Sequence, residues 1–221
     1  MQIVQYCHPA LRWKSQPVPE INDELRKIVR RMFELMYSAN GIGLAANQVG
    51  LPLRLFVLNL TADPKETEDE LVFINPEILR RKGTQESEEG CLSLPKLFKD
   101  VRRADEIVVE AFDLDGQGFE LTVEELASRA IQHETDHLDG VLFTDRLTDS
   151  LKREVAPILS DFEAQFRRQQ QLGVQPSDEA IREYLRTYEL GVSPLPPPAP
   201  ARADTEPAIA VAPPPNEHET L

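Results

Sequence analysis

Cysteine is scarce in this 221-residue chain, with only Cys7 and Cys91 present. Two thiols make no disulfide framework, and both are expected to stay reduced. Histidine is equally thin, at four residues. No stretch approaches the ~20 apolar residues of a membrane span, which excludes a membrane helix. The opening Met1-Gln2-Ile3-Val4-Gln5-Tyr6-Cys7-His8-Pro9 lacks the charged start and apolar core of a signal segment, so a cytoplasmic protein is expected. Basic residues are outnumbered, 24 against 38 acidic, for a net charge of −14. That balance argues against charge-driven binding to DNA or RNA at large. What remains is a chain long enough for one domain with its own core and cramped for two.

Hydrophobic spacing predicts an α+β fold of short mixed or antiparallel sheets around a buried helix. Leu25, Ile28, Val29, Met32, Phe33 and Met36 recur at helical intervals after Asn22 or Asp23 as cap, with Gly41 where the chain leaves the helix. Strand-like runs follow at Leu53 to Leu60, Leu71 to Ile74 and Glu106 to Phe112. The last leads through Asp115-Gly116 to Phe119-Glu120-Leu121 as a hairpin. A capping box of Thr122 and Glu125 opens a second helix, which runs to about Leu138 before Gly140. Leu151, Val155, Ile158, Leu159, Phe162 and Phe166 mark a third helix with Pro157 straining its interior, and Ser177 caps a short fourth one, Asp178 to Tyr188. Domain limits follow: 1–172 for the main domain with its C-terminal helix, 173–190 for a short helical extension, and 191–221 for a disordered tail. Nine of the 18 prolines fall between Pro194 and Pro215, among alanines and acids, and such a segment cannot bury a core.

The sharpest local signal is His133-Glu134-Thr135-Asp136-His137, an H-E-x-x-H pattern inside the second helix. Four residues make about one helical turn, so both imidazoles leave one face and can hold one metal ion. A metal lowers the pKa of bound water from ~15.7 to near ~7, and Glu134 stands beside it to exchange a proton. A catalytic site of this kind normally takes three protein ligands. Cys91, in Glu89-Gly90-Cys91-Leu92-Ser93, is the candidate for the third; the bland alternative is an inert buried thiol. Gly41-Ile42-Gly43-Leu44-Ala45-Ala46-Asn47-Gln48 formally contains G-x-G-x-x-A. A dinucleotide fingerprint needs a preceding strand, however, and here a helix precedes it. A small-residue loop that admits a substrate backbone, with the Gln48 amide as donor, fits better than a plain helix-ending turn.

Gly41 to Gln48, Glu89 to Ser93 and Gln132 to His137, in this order, resemble the three signature segments of peptide deformylases. The resemblance covers roughly the first 148 residues and includes Pro9-Ala10-Leu11-Arg12 and Gly140-Val141-Leu142-Phe143. It implies hydrolysis of the N-formyl group of N-formylmethionyl nascent polypeptides with release of formate. It implies a divalent metal on Cys91, His133 and His137, with iron(II) foremost and zinc, nickel or cobalt also suited to such ligands. Glu134 is then general base and acid, while Gln48 and the Leu92 backbone N–H stabilise the oxyanion. By the same resemblance Gly43 and Glu89 align the peptide, and Ile42, Leu126 and Ala130 wall the methionine pocket. Leu97-Phe98 depart from the family at the rim.

Some family members dock on the ribosome through the C-terminal segment, where basic charge is favoured. Here residues 190–221 hold one basic and four acidic residues, so any ribosome contact is expected to be transient and local. Two rivals share the metal motif. A zinc metalloprotease would draw its third ligand from downstream, which leaves Glu154 or Glu163. A degenerate, non-catalytic binding module would be expected to have lost a ligand or the base.

Overall fold

In a computed structural model that describes residues 1–188, the helical spacing after Asn22 becomes helix α1, Asp23–Ser38. The Asn22 side chain accepts from the Leu25 N–H at 3.0 Å, closing one open donor of the first turn. The apolar stripe from Leu25 to Met36 is buried against Leu44, Leu55, Val57 and Ile74. The left-handed residue at the helix end is Asn40, φ 54°, and Gly41 is required for a different reason. A Cβ there would fall 2.7 Å from Leu92 Cδ1, so the missing side chain lets two site segments touch.

Seven strands follow: β1 (Gly43–Ala45), β2 (Leu55–Leu58), β3 (Leu71–Lys82), β4 (Gln85–Cys91), β5 (Leu94–Arg103), β6 (Glu106–Phe112) and β7 (Gly118–Glu124). Five form one sheet in the order β1-β2-β3-β6-β7, and β4 pairs with β5 alone. Every strand pair is antiparallel; parallel pairing among the described residues is limited to the isolated bridge Gln16–Leu53. The two-residue period of β2 sends Leu55 and Val57 to the α1 side, and Phe56 and Leu58 to the other. On that second side they meet Phe73, Val109, Ala130, Ile131 and Leu138. The sheet is therefore buried on both faces where it matters, with α1 on one and helix α2 (Glu125–Leu138) on the other.

The expected capping box at Thr122 does not form. Thr122 pairs with Val108 in the β6–β7 ladder, and α2 starts only at Glu125, with no side-chain cap. Continuous strand pairing outweighs a local cap here, because it satisfies several backbone groups rather than one.

Helix α3 (Asp149–Gln171) carries Pro157 in its interior, and Val155 joins Leu94, Leu97, Val101 and Phe143 in a third cluster beneath the β4–β5 hairpin. Helix α4 (Asp178–Thr187) packs Ile181 and Leu185 against Ala10 and Phe166. The tail expected from residue 191 lies outside the described residues. No described helix is long and apolar enough to cross a membrane.

Candidate active site

Three segments meet where the sheet passes behind α2. The helix presents His133 and His137, one turn apart, with ring centroids 4.9 Å apart. The β4 end carries Cys91, whose Sγ lies 3.2 Å from His137 Nε2. The Cys91 sulfur and one nitrogen of each histidine lie within 4.8 Å of one another. A thiolate with two imidazoles is a donor set for a borderline transition metal.

In the segment Gly41 to Gln48, expected as a loop, Gly43 onward is instead the edge strand β1 followed by a 3-10 turn, Ala46–Val49. This turn aims the Gln48 amide. Its Oε1 accepts from the Ala45 N–H at 2.8 Å, which leaves Nε2 facing Cys91 Sγ at 3.4 Å and Ser93 Oγ at 3.3 Å. Gly43 lies against Glu134, and a Cβ there would come 2.5 Å from Glu134 Oε1. Glu134 is buried, and its Oε2 has no hydrogen-bond partner among the described residues. Burial raises its carboxyl to about 7, against the pull of His133 and Arg103.

Ile42, Gly43, Gln48, Glu89, Cys91, Leu92, Leu126, Ala130, His133 and Glu134 all line one cleft of about 90 Å³. That is several times the ~10–15 Å³ one water needs, so an organic group fits. Ile42, Ala130 and the exposed Leu126 supply apolar wall. His137 lies deeper and is fully buried. At the rim, Phe98 lines the cleft beside Gly90, where a Cβ would strike its ring at 2.5 Å; Leu97 points instead into the core.

Glu89 is committed elsewhere than to a peptide. Its carboxylate accepts from Arg103 at 2.5 and 2.8 Å and from Arg129 at 2.5 Å, and its Oε2 lies 3.2 Å from His133 Nδ1. The side chain therefore orients a histidine, and only its backbone is left to face the cleft. Burial would raise this carboxyl, but His133 and Arg103 hold it far below the usual range. Burial disfavours charge on both histidines. Hydrogen bonds that His133 makes to Cys91 and Glu89 reverse this at His133 and raise it, whereas His133 and Arg103 lower His137 further.

Arg103, Arg129 and Asp136 escape a reading of the sequence. Arg103 Nη1 donates to Asp136 Oδ2 at 2.7 Å, and Arg146 also pairs with Asp136. The one available signal was the position of Asp136 inside the metal motif. Glu154 and Glu163, the downstream ligands a protease would need, lie on α3 with Lys99 and Arg167 as partners and do not join the Cys91–His133–His137 group.

The model of the polypeptide deformylase family matches residues 1–153. This chain belongs to the peptide deformylase family. A peptide deformylase of Acidobacterium capsulatum is 54% identical over 154 residues, 69% of this chain and 89% of that one. The Rhodopirellula baltica protein is 39% identical over 189 residues, 86% and 94% of the two chains. Among solved structures, peptide deformylase 1B of Arabidopsis thaliana with an inhibitor shares 37% identity, with a TM-score of 0.73 over 76% of this chain and 93% of its own. A Plasmodium falciparum deformylase matches at 34% identity, TM-score 0.71, over 85% and 99%. The deformylase is thus a hydrolase that removes the N-formyl group from nascent peptides, within a metal-dependent family. Its residues fit a metal: a thiol and two imidazoles converge from two elements, and a buried carboxyl oxygen stands unpartnered beside them.

Proposed function

We propose that Cys91, His133 and His137 hold one divalent ion, iron(II) in the working enzyme, with zinc, nickel or cobalt as substitutes. When bound, the ion supplies the Lewis acidity that makes water a nucleophile at neutral pH. Glu134 takes the proton from the attacking water and returns it to the departing amine, so formate and a free N-terminus result. A carboxyl raised to about 7 suits both roles, and such acid–base catalysis is typically worth 10²–10⁴-fold. The Gln48 amide and the Leu92 N–H receive the developing oxyanion, Gln48 contributing ~3 kcal/mol on the scale of comparable donors. Gly43 and the Glu89 backbone align the peptide, while Ile42, Leu126 and Ala130 enclose the methionine side chain. The observation that carries this reading is the convergence of three ligand atoms, two of them on residues that line one cleft with Glu134 and Gln48.

Residues 1–172 form the catalytic domain in this reading, 173–190 an extension and 191–221 a tail. The substrate is an N-formylmethionyl chain met in the cytoplasm, with only transient ribosome contact and no DNA partner. The test is formate release from an N-formylmethionyl tripeptide, using protein prepared without oxygen and loaded with iron or nickel. Rapid release that stops on chelation supports the assignment. Release that persists after full removal of metal overturns it.

A further inference from the structure

Gln132 and Asp136 of α2 border a second hollow of about 400 Å³ that the hydrolytic reaction does not use. Its lining includes Arg81 from β3, Arg102 and Arg103 from β5, and Arg146 from the turn after α2, together with Thr84 and Asp136. Four guanidinium groups around one hollow repel each other, and this happens in a chain with a net charge of −14. Carboxylates satisfy only part of the group. Arg103 is paired with Glu89 and Asp136, and Arg146 with Asp136. Arg102 reaches Glu86 only at 3.7 Å while 70% exposed, a geometry worth little. Arg81 makes no ion pair among the described residues. Two cations are thus left with unspent donors over a floor where Arg103 and Arg146 already hold Asp136.

We propose that this hollow binds a phosphate group. A carboxylate has two oxygens and is satisfied by a single planar fork. Donors from a strand of each sheet and from a turn suit an anion with more oxygens. Asp136 opposes any anion, but both its oxygens are taken by Arg103 and Arg146, so its charge is neutralised locally. The phosphate comes either from a small free compound or from the backbone of an RNA strand, and the chemistry is shared.

The test is titration calorimetry on the full-length, metal-loaded protein with two probes, inorganic phosphate and a short single-stranded oligoribonucleotide. The comparison is the double variant Arg81→Ser/Arg102→Ser, whose formate release and melting temperature report that it folds. Expected is saturable phosphate binding that weakens at least about tenfold in the double variant, the scale of one lost charge-assisted hydrogen bond. Arg81→Lys/Arg102→Lys should recover part of it, since charge is kept and the fork lost. RNA binding tighter than phosphate and equally sensitive to the variant identifies a strand as the source. Binding of inorganic phosphate alone identifies a small compound. No binding of either probe, or equal binding by the double variant, overturns the proposal; the latter places the phosphate elsewhere on the protein.

Discussion

Glu89 Oε2 lies 3.2 Å from His133 Nδ1, so a carboxylate held by two arginines sets the orientation of an imidazole at the ligand cluster. Such outer partners typically carry 10–100-fold in metal affinity. Glu89→Gln should weaken metal binding by that factor in a chelator competition. It should also lower stability by ~3–5 kcal/mol, because Arg129 stays buried without a counter-charge and Arg103 keeps only Asp136. The carboxyl is held below its ordinary 4.5, so its stabilisation is present above that pH and is lost as pH falls through the depressed value. The variant's stability deficit, followed by denaturant melts, should therefore stay constant above pH 4.5, shrink progressively below it and close only in strong acid. A deficit that vanishes already near pH 5 would contradict the ion-pair assignment.

Cys91→Ala removes the one member of the proposed Cys91–His133–His137 ligand set that lies off α2. The variant should lose its bound metal on gel filtration, as read by elemental analysis, and with it formate release. A protease that used Glu154 would keep the metal, but Glu154 is occupied 2.6 Å from Lys99. Full metal content in the variant would remove Cys91 from the ligand set.

The parts of this site that were legible in the sequence share a short-range signature. His133 and His137 are one helical turn apart, and the stripe of α1 with its Asn22 cap follows from spacing alone. Strand β6 matches the expected Glu106–Phe112 because it carries a short, buried β-branched run, Ile107-Val108-Val109. The β4–β5 hairpin escaped notice because Gln85-Glu86-Ser87-Glu88-Glu89 has no apolar alternation; its buried residue is the ion-paired Glu89. Arg103 and Arg129 carry no local pattern at all and Asp136 only its place inside H-E-x-x-H; the meeting of β5 with α2 is what joins them around Glu89. Thr122 misled for the opposite reason, as a good local cap overridden by pairing with Val108.

Gly43→Ala places a methyl 2.5 Å from Glu134 Oε1, inside van der Waals contact. Glu134 has to move, and displacing a reacting group by ~1 Å can cost 10²-fold. The expected outcome is a fall of that order in kcat with bound metal unchanged. An unaltered kcat would show that Glu134 is free to shift, or that its position does not matter.

His8 is buried beside Phe166, with its Nδ1 accepting from the Ala10 N–H. Burial lowers its pKa to about 4, against a smaller upward pull from Asp178. The unfolded chain takes up the proton near the ordinary 6.5 while the fold resists it. Stability contributed by neutral His8 is present above 6.5 and drains away as pH falls to about 4. The loss is on the order of 3 kcal/mol. His8→Asn keeps an acceptor for Ala10 without a titrating ring. Its melting temperature should depend less on pH across this window than that of the parent, and identical slopes would contradict the burial argument.

Glu134 faces a stricter demand, since it has to be ionised to accept a proton and yet is buried enough to sit at about 7. A nearby cation favours the carboxylate, so the acid limb of kcat/KM in the loaded enzyme should fall at or below that value. Activity rises with pH through this limb, because deprotonation creates the base. Glu134→Gln should lower formate release by ~10²–10⁴-fold and abolish the limb while the three ligands keep their metal. Two outcomes would be decisive against it. A variant with normal turnover would remove Glu134 from proton transfer. A variant that keeps the same acid limb at low activity would assign that limb to another group.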